Sequence, residues 1–171
     1  MRDFSYQRNP VPDEMGLEMP LTNKQAVEAF ENLERQYEKQ IAFTKADVEI
    51  VVNAIHNSLV FRDYVMGELP NLKDTSTALG FLTALLPLVD EGQRAPLYTI
   101  MSGYYYEIGD KELAFVSLTQ SKLLDPDYSL ATLFERVFEA GWGSDAFPTM
   151  RAELHPKVSA ELFDNLELEL A

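Results

Sequence analysis

The sequence contains no cysteine and few basic residues. Its 171 residues include 14 lysines and arginines against 28 aspartates and glutamates, which gives a formal net charge of −14. The absence of cysteine excludes disulfide bonds, thiolate nucleophiles and cysteine-ligated metals. The shortage of basic residues argues against direct binding to duplex nucleic acid or to an anionic membrane surface. The charge instead favours a basic protein as partner.

Long hydrophobic runs are also missing. No run approaches the roughly 18 residues of a membrane-spanning helix, and the N-terminus carries no apolar leader core. We therefore expect no contact with a membrane. The expected location is the cytoplasm, or a virion if a phage encodes the protein.

Residues suited to catalysis or metal binding are scarce. The only two histidines, His56 and His155, lie on different predicted elements, and neither has a second ligand at a metal-binding spacing. His56 and Ser58 are close in sequence, but no Gly-x-Ser-x-Gly elbow exposes the serine. The sequence also lacks a Gly-Lys-Ser/Thr phosphate loop. We therefore predict no catalytic residue, no metal and no cofactor.

Apolar residues at helical spacing dominate the stretch from Pro96 to Gly141. Three groups recur at intervals of three and four residues, so each group forms one side of a helix. The groups are Tyr98, Met101, Tyr105 and Ile108, then Leu113, Ala114, Ser117, Leu118 and Ser121, and finally Leu130, Leu133, Phe134, Val137 and Phe138. Pro96 can open the first helix, Gly109-Asp110 ends it, Pro126 stops the second and Gly141 ends the third.

Two capping boxes predict helices nearer the N-terminus. Thr22-Asn23-Lys24-Gln25 opens a helix from about Asn23 to Gln40, and Thr44 with Asp47 opens a second. Their apolar stripes are Val27, Phe30, Leu33, Tyr37 and Ile41, then Val48, Val51, Val52, Ile55 and Leu59.

Three further helices complete the prediction. The second helix breaks near His56-Asn57-Ser58, after which an apolar pattern continues to Pro70. Asp74 or Thr75 then caps a helix that Pro87 ends or kinks. A last short helix covers about Lys157 to Asn165.

The central helices resemble known helical families. The spacing of Gly109, Ala114, Leu118, Ser121 and Pro126 resembles a tetratricopeptide unit, in which a glycine joins paired helices and a proline follows them. A second resemblance covers about residues 58–145. It rests on Arg62-Asp63, the turn from Tyr105 to Gly109-Asp110, Ala114, the run from Asp125 to Ala131, and Gly141.

These residues resemble the C-terminal part of an uncharacterised actinobacterial family, domain of unknown function 4192. The resemblance implies a helical, repeat-like fold and an actinobacterial or actinobacteriophage source, and the family brings no activity with it. This chain departs from the family pattern in lacking the N-terminal half. It also has Tyr104-Tyr105-Tyr106 where small and aliphatic residues are more usual.

These patterns predict an all-α fold. We expect antiparallel helical hairpins, arranged as a tetratricopeptide-like array or as a bundle. Residues 1–21 contain three prolines and no helical period, so they are predicted to form an extended arm. A single helical domain follows over residues 22–160, and residues 161–171 are predicted to be an acidic tail.

Tyrosines supply one candidate binding surface. On a helix, Tyr104, Tyr105 and Tyr106 point about 100° apart, so they cannot all enter the same core. We therefore predict that Tyr104 and Tyr106 bind protein, together with Phe4 and Tyr6 of the arm. The alternative is that the tyrosines pack against several neighbouring helices at once.

Glutamates supply a second candidate surface. Glu31, Glu34 and Glu38 lie on the outer face of the first helix, where a basic partner could bind. The alternative is an ordinary solvated helix face.

The functional prediction is a non-catalytic helical protein–protein interaction module or assembly factor. Its partner is a protein, which the charge favours as basic, or a second copy of the chain. Two other hypotheses remain open. One is a phage virion protein whose arm laces neighbouring subunits, and the other is an acidic inhibitor that imitates nucleic acid.

Overall fold

The computed structural model describes residues 22–72 and 74–170. Within them the chain forms eight α-helices and two 3₁₀ turns, with no strand, which confirms the predicted all-α class. The helices are α1 (Asn23–Glu38), α2 (Lys45–Asn57), α3 (Leu59–Leu72), α4 (Thr75–Leu85), α5 (Ala95–Glu107), α6 (Lys111–Leu124), α7 (Ser129–Glu139) and α8 (Ala146–Leu170). The 3₁₀ turns are Leu86–Leu88 and Glu91–Gln93. The predicted arm, with Phe4 and Tyr6, lies outside the described residues.

One of the two predicted capping boxes is present. The hydroxyl of Thr22 accepts from the backbone N–H of Gln25, whose side chain accepts in return from the Thr22 N–H. The box predicted at Thr44 was wrong, because that side chain makes no cap hydrogen bond. Its Oγ1 instead accepts from Nε2 of Gln36 on α1, at 2.7 Å. Contact with a neighbouring helix therefore replaces the local cap.

Buried side chains form two apolar clusters. The first is built by α1 to α5 and is closed by Leu162 of α8. The second is built by Tyr106 of α5, by α6 and α7, and by Phe147 of α8. Met66 and Tyr105 pack against both clusters. Helix α5 therefore lies between two cores and is buried on most sides, although its predicted stripe covered one side.

The predicted stripes identify most of the inner faces. Most of their members inside the helices are buried, as Val27, Phe30 and Leu33 are on α1. Five members are exposed, namely Ile41, Leu59, Ile108, Leu113 and Leu133. The first three lie beyond the ends of α1, α2 and α5, where the helical period of those helices no longer applies. The other two lie at the edges of buried faces, because periodicity alone does not show how far a neighbouring helix extends.

Helices α5 and α6 form a close hairpin. Gly109 joins them with a φ of +85°, a conformation that favours glycine. Small residues on α6 face α5, where Oγ of Ser121 lies 2.7 Å from Oγ1 of Thr99 and donates to the carbonyl of Ala95. These small side chains allow the two helices to pack closely.

The C-terminal helix is longer than predicted. A short helix from Lys157 to Asn165 was expected, whereas α8 spans Ala146–Leu170 and contains Pro156. The side chain of Leu162 is fully buried at 0% exposure. Burial of this leucine anchors the helix beyond the proline, within residues assigned by sequence to the acidic tail. In the part of the chain that is described, no helix is both long enough and apolar enough to cross a membrane.

Candidate functional site

The tyrosine surface predicted from sequence is not available. Tyr104 is 3% exposed and Tyr106 is 1% exposed, and they belong to the first and second clusters respectively. The Tyr104 hydroxyl donates to the carbonyl of Met66 at 2.6 Å, and the Tyr106 hydroxyl donates to the carbonyl of Trp142. The rings do point in different directions, as expected. Two cores receive them, however, so the prediction that they face a partner is corrected.

The three predicted glutamates line one groove. This acidic groove has a volume of about 350 Å³ and lies between α1, α3 and α4. Its lining residues are Glu31, Glu34, Arg35, Tyr37, Glu38, Leu69, Thr77, Ala78 and Phe81. These three glutamates and Arg35 all belong to α1, so one helix supplies the charged side of the groove.

The floor of the acidic groove is apolar and aromatic. Tyr37 and Phe81 meet edge to face, with ring centroids 5.6 Å apart, and Phe43 packs on both rings. The Tyr37 hydroxyl lies over Gly80 of α4, where any Cβ would collide with it. Since Leu69, Ala78 and Phe81 are buried, the floor belongs to the first core cluster. Apolar and aromatic side chains thus form the floor of the groove, and charged side chains form its rim.

Glu34 has an unusual environment in this rim. Its Oε1 is buried and has no hydrogen-bond partner among the described residues. Burial, followed by repulsion from Glu68 and Glu31, raises the pKa of Glu34 to about 8, and Arg35 opposes this shift only in part. Its environment therefore favours the neutral, protonated form of Glu34.

A second polar cluster lies next to Glu34, around His155. The imidazole stacks on Tyr64 of α3 with centroids 5.7 Å apart, and its Nε2 lies 2.7 Å from Oε2 of Glu68. Oγ of Ser159 lies 3.5 Å from the same nitrogen. A catalytic triad needs the acid and the nucleophile on opposite ring nitrogens. The cluster therefore does not activate Ser159, and it connects α8 to α3.

Other ionisable groups occupy structural positions. Arg151 of α8 forms two hydrogen bonds with Glu107 of α5, at 2.9 and 2.6 Å, and these bonds raise the pKa of Arg151. His56 is exposed near the end of α2. Across residues 22–72 and 74–170, no group of three or more metal-ligating side chains is placed to hold an ion.

Comparison with known protein families, curated proteins and solved structures finds no match to the chain. Function is therefore argued from the geometry of this molecule alone.

The sequence located the acidic rim but not the floor or the neighbouring carboxylate of Glu68. Tyr37 was assigned to the apolar stripe of its helix, and Glu68 and Phe81 were not singled out. Glu68 lies inside an apolar stretch of α3, which is an unusual position for a carboxylate. That position is the one signal by which sequence could have identified it.

Proposed function

We propose that the protein is a non-catalytic helical interaction module, and that the acidic groove binds a basic segment of a partner protein. One observation carries the proposal. Within the described residues, a single groove combines an acidic rim, a buried Glu34 oxygen without a hydrogen-bond partner, and an aromatic floor.

A lysine or arginine side chain of the partner fits both parts of this groove. Its alkyl stem can pack on Tyr37 and Phe81, and its charged head can reach the carboxylates of the rim. Aromatic rings close to the rim also attract cations. A partner cation near Glu34 would favour the ionised carboxylate, so binding at pH 7 would release a proton.

A peptide titration tests this proposal. The probe is a short peptide in which lysine alternates with leucine, and the control peptide has glutamine in place of lysine. We expect the lysine peptide to bind and the glutamine peptide to bind at least about tenfold more weakly. Isothermal calorimetry in buffers of different ionisation enthalpy should show proton release on binding, and Glu34→Gln should abolish that release.

Matched double variants test the position of the site. Glu31→Gln with Glu38→Gln should weaken the lysine peptide by about fivefold or more. Glu112→Gln with Glu139→Gln makes the same change in net charge at exposed positions on α6 and α7. Equal loss in both double variants would indicate attraction by net charge alone and would contradict binding in the groove.

The net charge of −14 supports a second candidate, an inhibitor that imitates nucleic acid. In that case the captured partner would be a DNA-binding protein, DNA would compete with the chain, and binding would weaken steeply with salt. A partner that binds DNA and the chain at the same time would exclude this candidate.

A further inference from the structure

The acidic groove adjoins a second recess that is mainly apolar. Tyr37 and Glu38 line both, and this apolar recess has a volume of about 590 Å³. Ile41 and Leu88 line it with side chains that are 57% and 53% exposed, and Phe43 also lines it. Together the groove and the recess form one surface, which is acidic along α1 and apolar beyond the end of that helix.

The sequence contains a segment with a matching pattern, in the part that lies outside the described residues. Two arginines and two aromatic residues alternate there with one acidic and two polar residues. They are Arg2, Phe4, Tyr6 and Arg8, alternating with Asp3, Ser5 and Gln7. In the extended form predicted for residues 1–21, successive side chains point to opposite sides of the chain. The arginines and the rings therefore share one side, and the aspartate lies on the other.

The length of chain between this segment and α1 allows the segment to reach the groove. Residues 9–21 can span up to about 43 Å when extended, at about 3.3 Å per residue. Glu31 lies only about 12 Å along α1 from Asn23, at about 1.5 Å per residue. The connection is therefore long enough for the segment to lie along the groove of the same molecule.

We propose that residues 2–8 bind to the acidic groove and the apolar recess of their own molecule. The inference rests on the proposed function, because it gives the groove an internal ligand with the chemistry proposed for the partner. The two arginines meet a surface that carries three glutamates against one arginine. The rings of Phe4 and Tyr6 cover the exposed apolar side chains of the recess. A partner then has to displace this segment, so its apparent affinity is reduced to the extent that the groove is occupied.

A spin label tests the contact directly in the full chain. Since the chain has no cysteine, Ser5→Cys introduces a single thiol on the side of the segment that faces away from the groove. A nitroxide on this thiol should broaden the amide NMR signals of Thr77 and Phe81, which line the groove, more strongly than that of Thr119 on α6. Equal broadening of all three signals would overturn the proposal. So would broadening that appears only when a spin-labelled copy is mixed with an isotope-labelled copy, because the segment would then bind a second molecule.

Charge variants connect this contact to partner binding. Arg2→Gln with Arg8→Gln should reduce the broadening at the groove and tighten binding of the lysine peptide by about threefold to tenfold. Arg136→Gln with Lys157→Gln makes the same change in net charge at exposed positions on α7 and α8, and should alter neither. If the groove signals are not broadened and the lysine peptide still binds, this inference is wrong and the proposed function stands. If they are broadened and the lysine peptide does not bind even to the double arginine variant, the segment occupies the groove and the proposed function is wrong.

Discussion

Glu34 carries an ionisable carboxyl group in a partly buried position. Its side chain lines the acidic groove, yet its Oε1 is buried without a hydrogen-bond partner in the part of the chain that the structure describes. Four groups face it, namely Glu31 and Arg35 on its own helix and Glu68 and Tyr64 on α3, while His155 of α8 bonds to Glu68. The neutral acid is tolerated in this position, whereas the ionised acid is poorly solvated.

The stability of the protein should therefore depend on pH through Glu34. The pKa of Glu34 in the folded protein is about 8, above its ordinary value of 4.5. As pH rises, the unfolded chain loses this proton near pH 4.5, whereas the folded protein keeps it until about pH 8. The contribution of Glu34 to stability is therefore fully present below pH 4.5 and is lost by about pH 8. Because the group is partly exposed, we expect a total loss of about 1–2 kcal/mol in the free energy of unfolding.

Urea denaturation between about pH 5.5 and 8.5 measures this loss. Glu34→Gln should flatten the decline and make the protein more stable than wild type at the upper end. Glu49→Gln, at an exposed position on α2, should follow the wild-type slope. Parallel slopes for wild type and Glu34→Gln would show that the carboxyl group is ionised in the folded protein at neutral pH.

The two predicted capping boxes show that a four-residue pattern does not by itself determine whether a helix cap forms. Thr22 caps its helix as predicted, whereas Thr44 bonds to Gln36 and leaves its own helix uncapped. Both sites carry the residue types of a capping box. The difference arises because Gln36 of the preceding helix bonds to Thr44, and the four residues of the pattern do not include Gln36.

At the scale of elements, α8 is held through its apolar contacts at both ends. Phe147 enters the second cluster near the start of the helix, and Leu162 enters the first cluster beyond Pro156. A proline inside a helix removes one backbone hydrogen bond and disfavours continuation. Tertiary burial outweighs that local cost, and for this reason the sequence predicted a shorter helix.

Leu162→Ala tests this account of α8. We expect the free energy of unfolding to fall by about 2–5 kcal/mol, because a fully buried leucine leaves a cavity when truncated. Leu154→Ala, at a half-exposed position on the same helix, should cost about 1 kcal/mol or less. Urea denaturation measures both. Similar small effects in the two variants would mean that residues beyond Pro156 behave as a solvated tail.

The elements themselves were largely predictable. The terminators Gly109 and Gly141 have the positive φ expected of them, and Asp74 accepts from the Thr77 N–H as an N-cap. The buried faces were also largely predictable, and the predicted stripes erred mainly at their edges, as the exposure of Leu113 and Leu133 shows. Periodicity gives the spacing of buried residues, whereas the direction of burial depends on neighbours that sequence does not place.

At the scale of the whole molecule, the position of α5 between two clusters is the main feature. Tyr104 and Tyr106, two residues apart, enter different cores, and Met66 and Tyr105 contact both. Sequence showed that the rings diverge, but it did not show that a second core would receive one of them.

The two clusters should unfold together because they share α5. We expect one transition in urea, with the same midpoint for the fluorescence of Trp142, next to the second cluster, and for the methyl NMR signal of Met101, in the first. Phe138→Ala removes a buried ring from the second cluster and should lower both midpoints equally. A midpoint that moves for Trp142 alone would show that the clusters are independent.

Gly67 determines how closely α8 approaches α3. A Cβ at this position would meet the His155 side chain not only at its ring tip but also at Cγ, 2.8 Å away, and at Cβ, 3.1 Å away. Because the base of the side chain is involved, rotation of the ring does not make room, and the helix itself has to shift. An alanine at residue 67 would thus move α8 away from α3 and loosen the bond between His155 and Glu68, which lies beside the acidic groove. The close packing of these two helices therefore depends on the absence of a single methyl group.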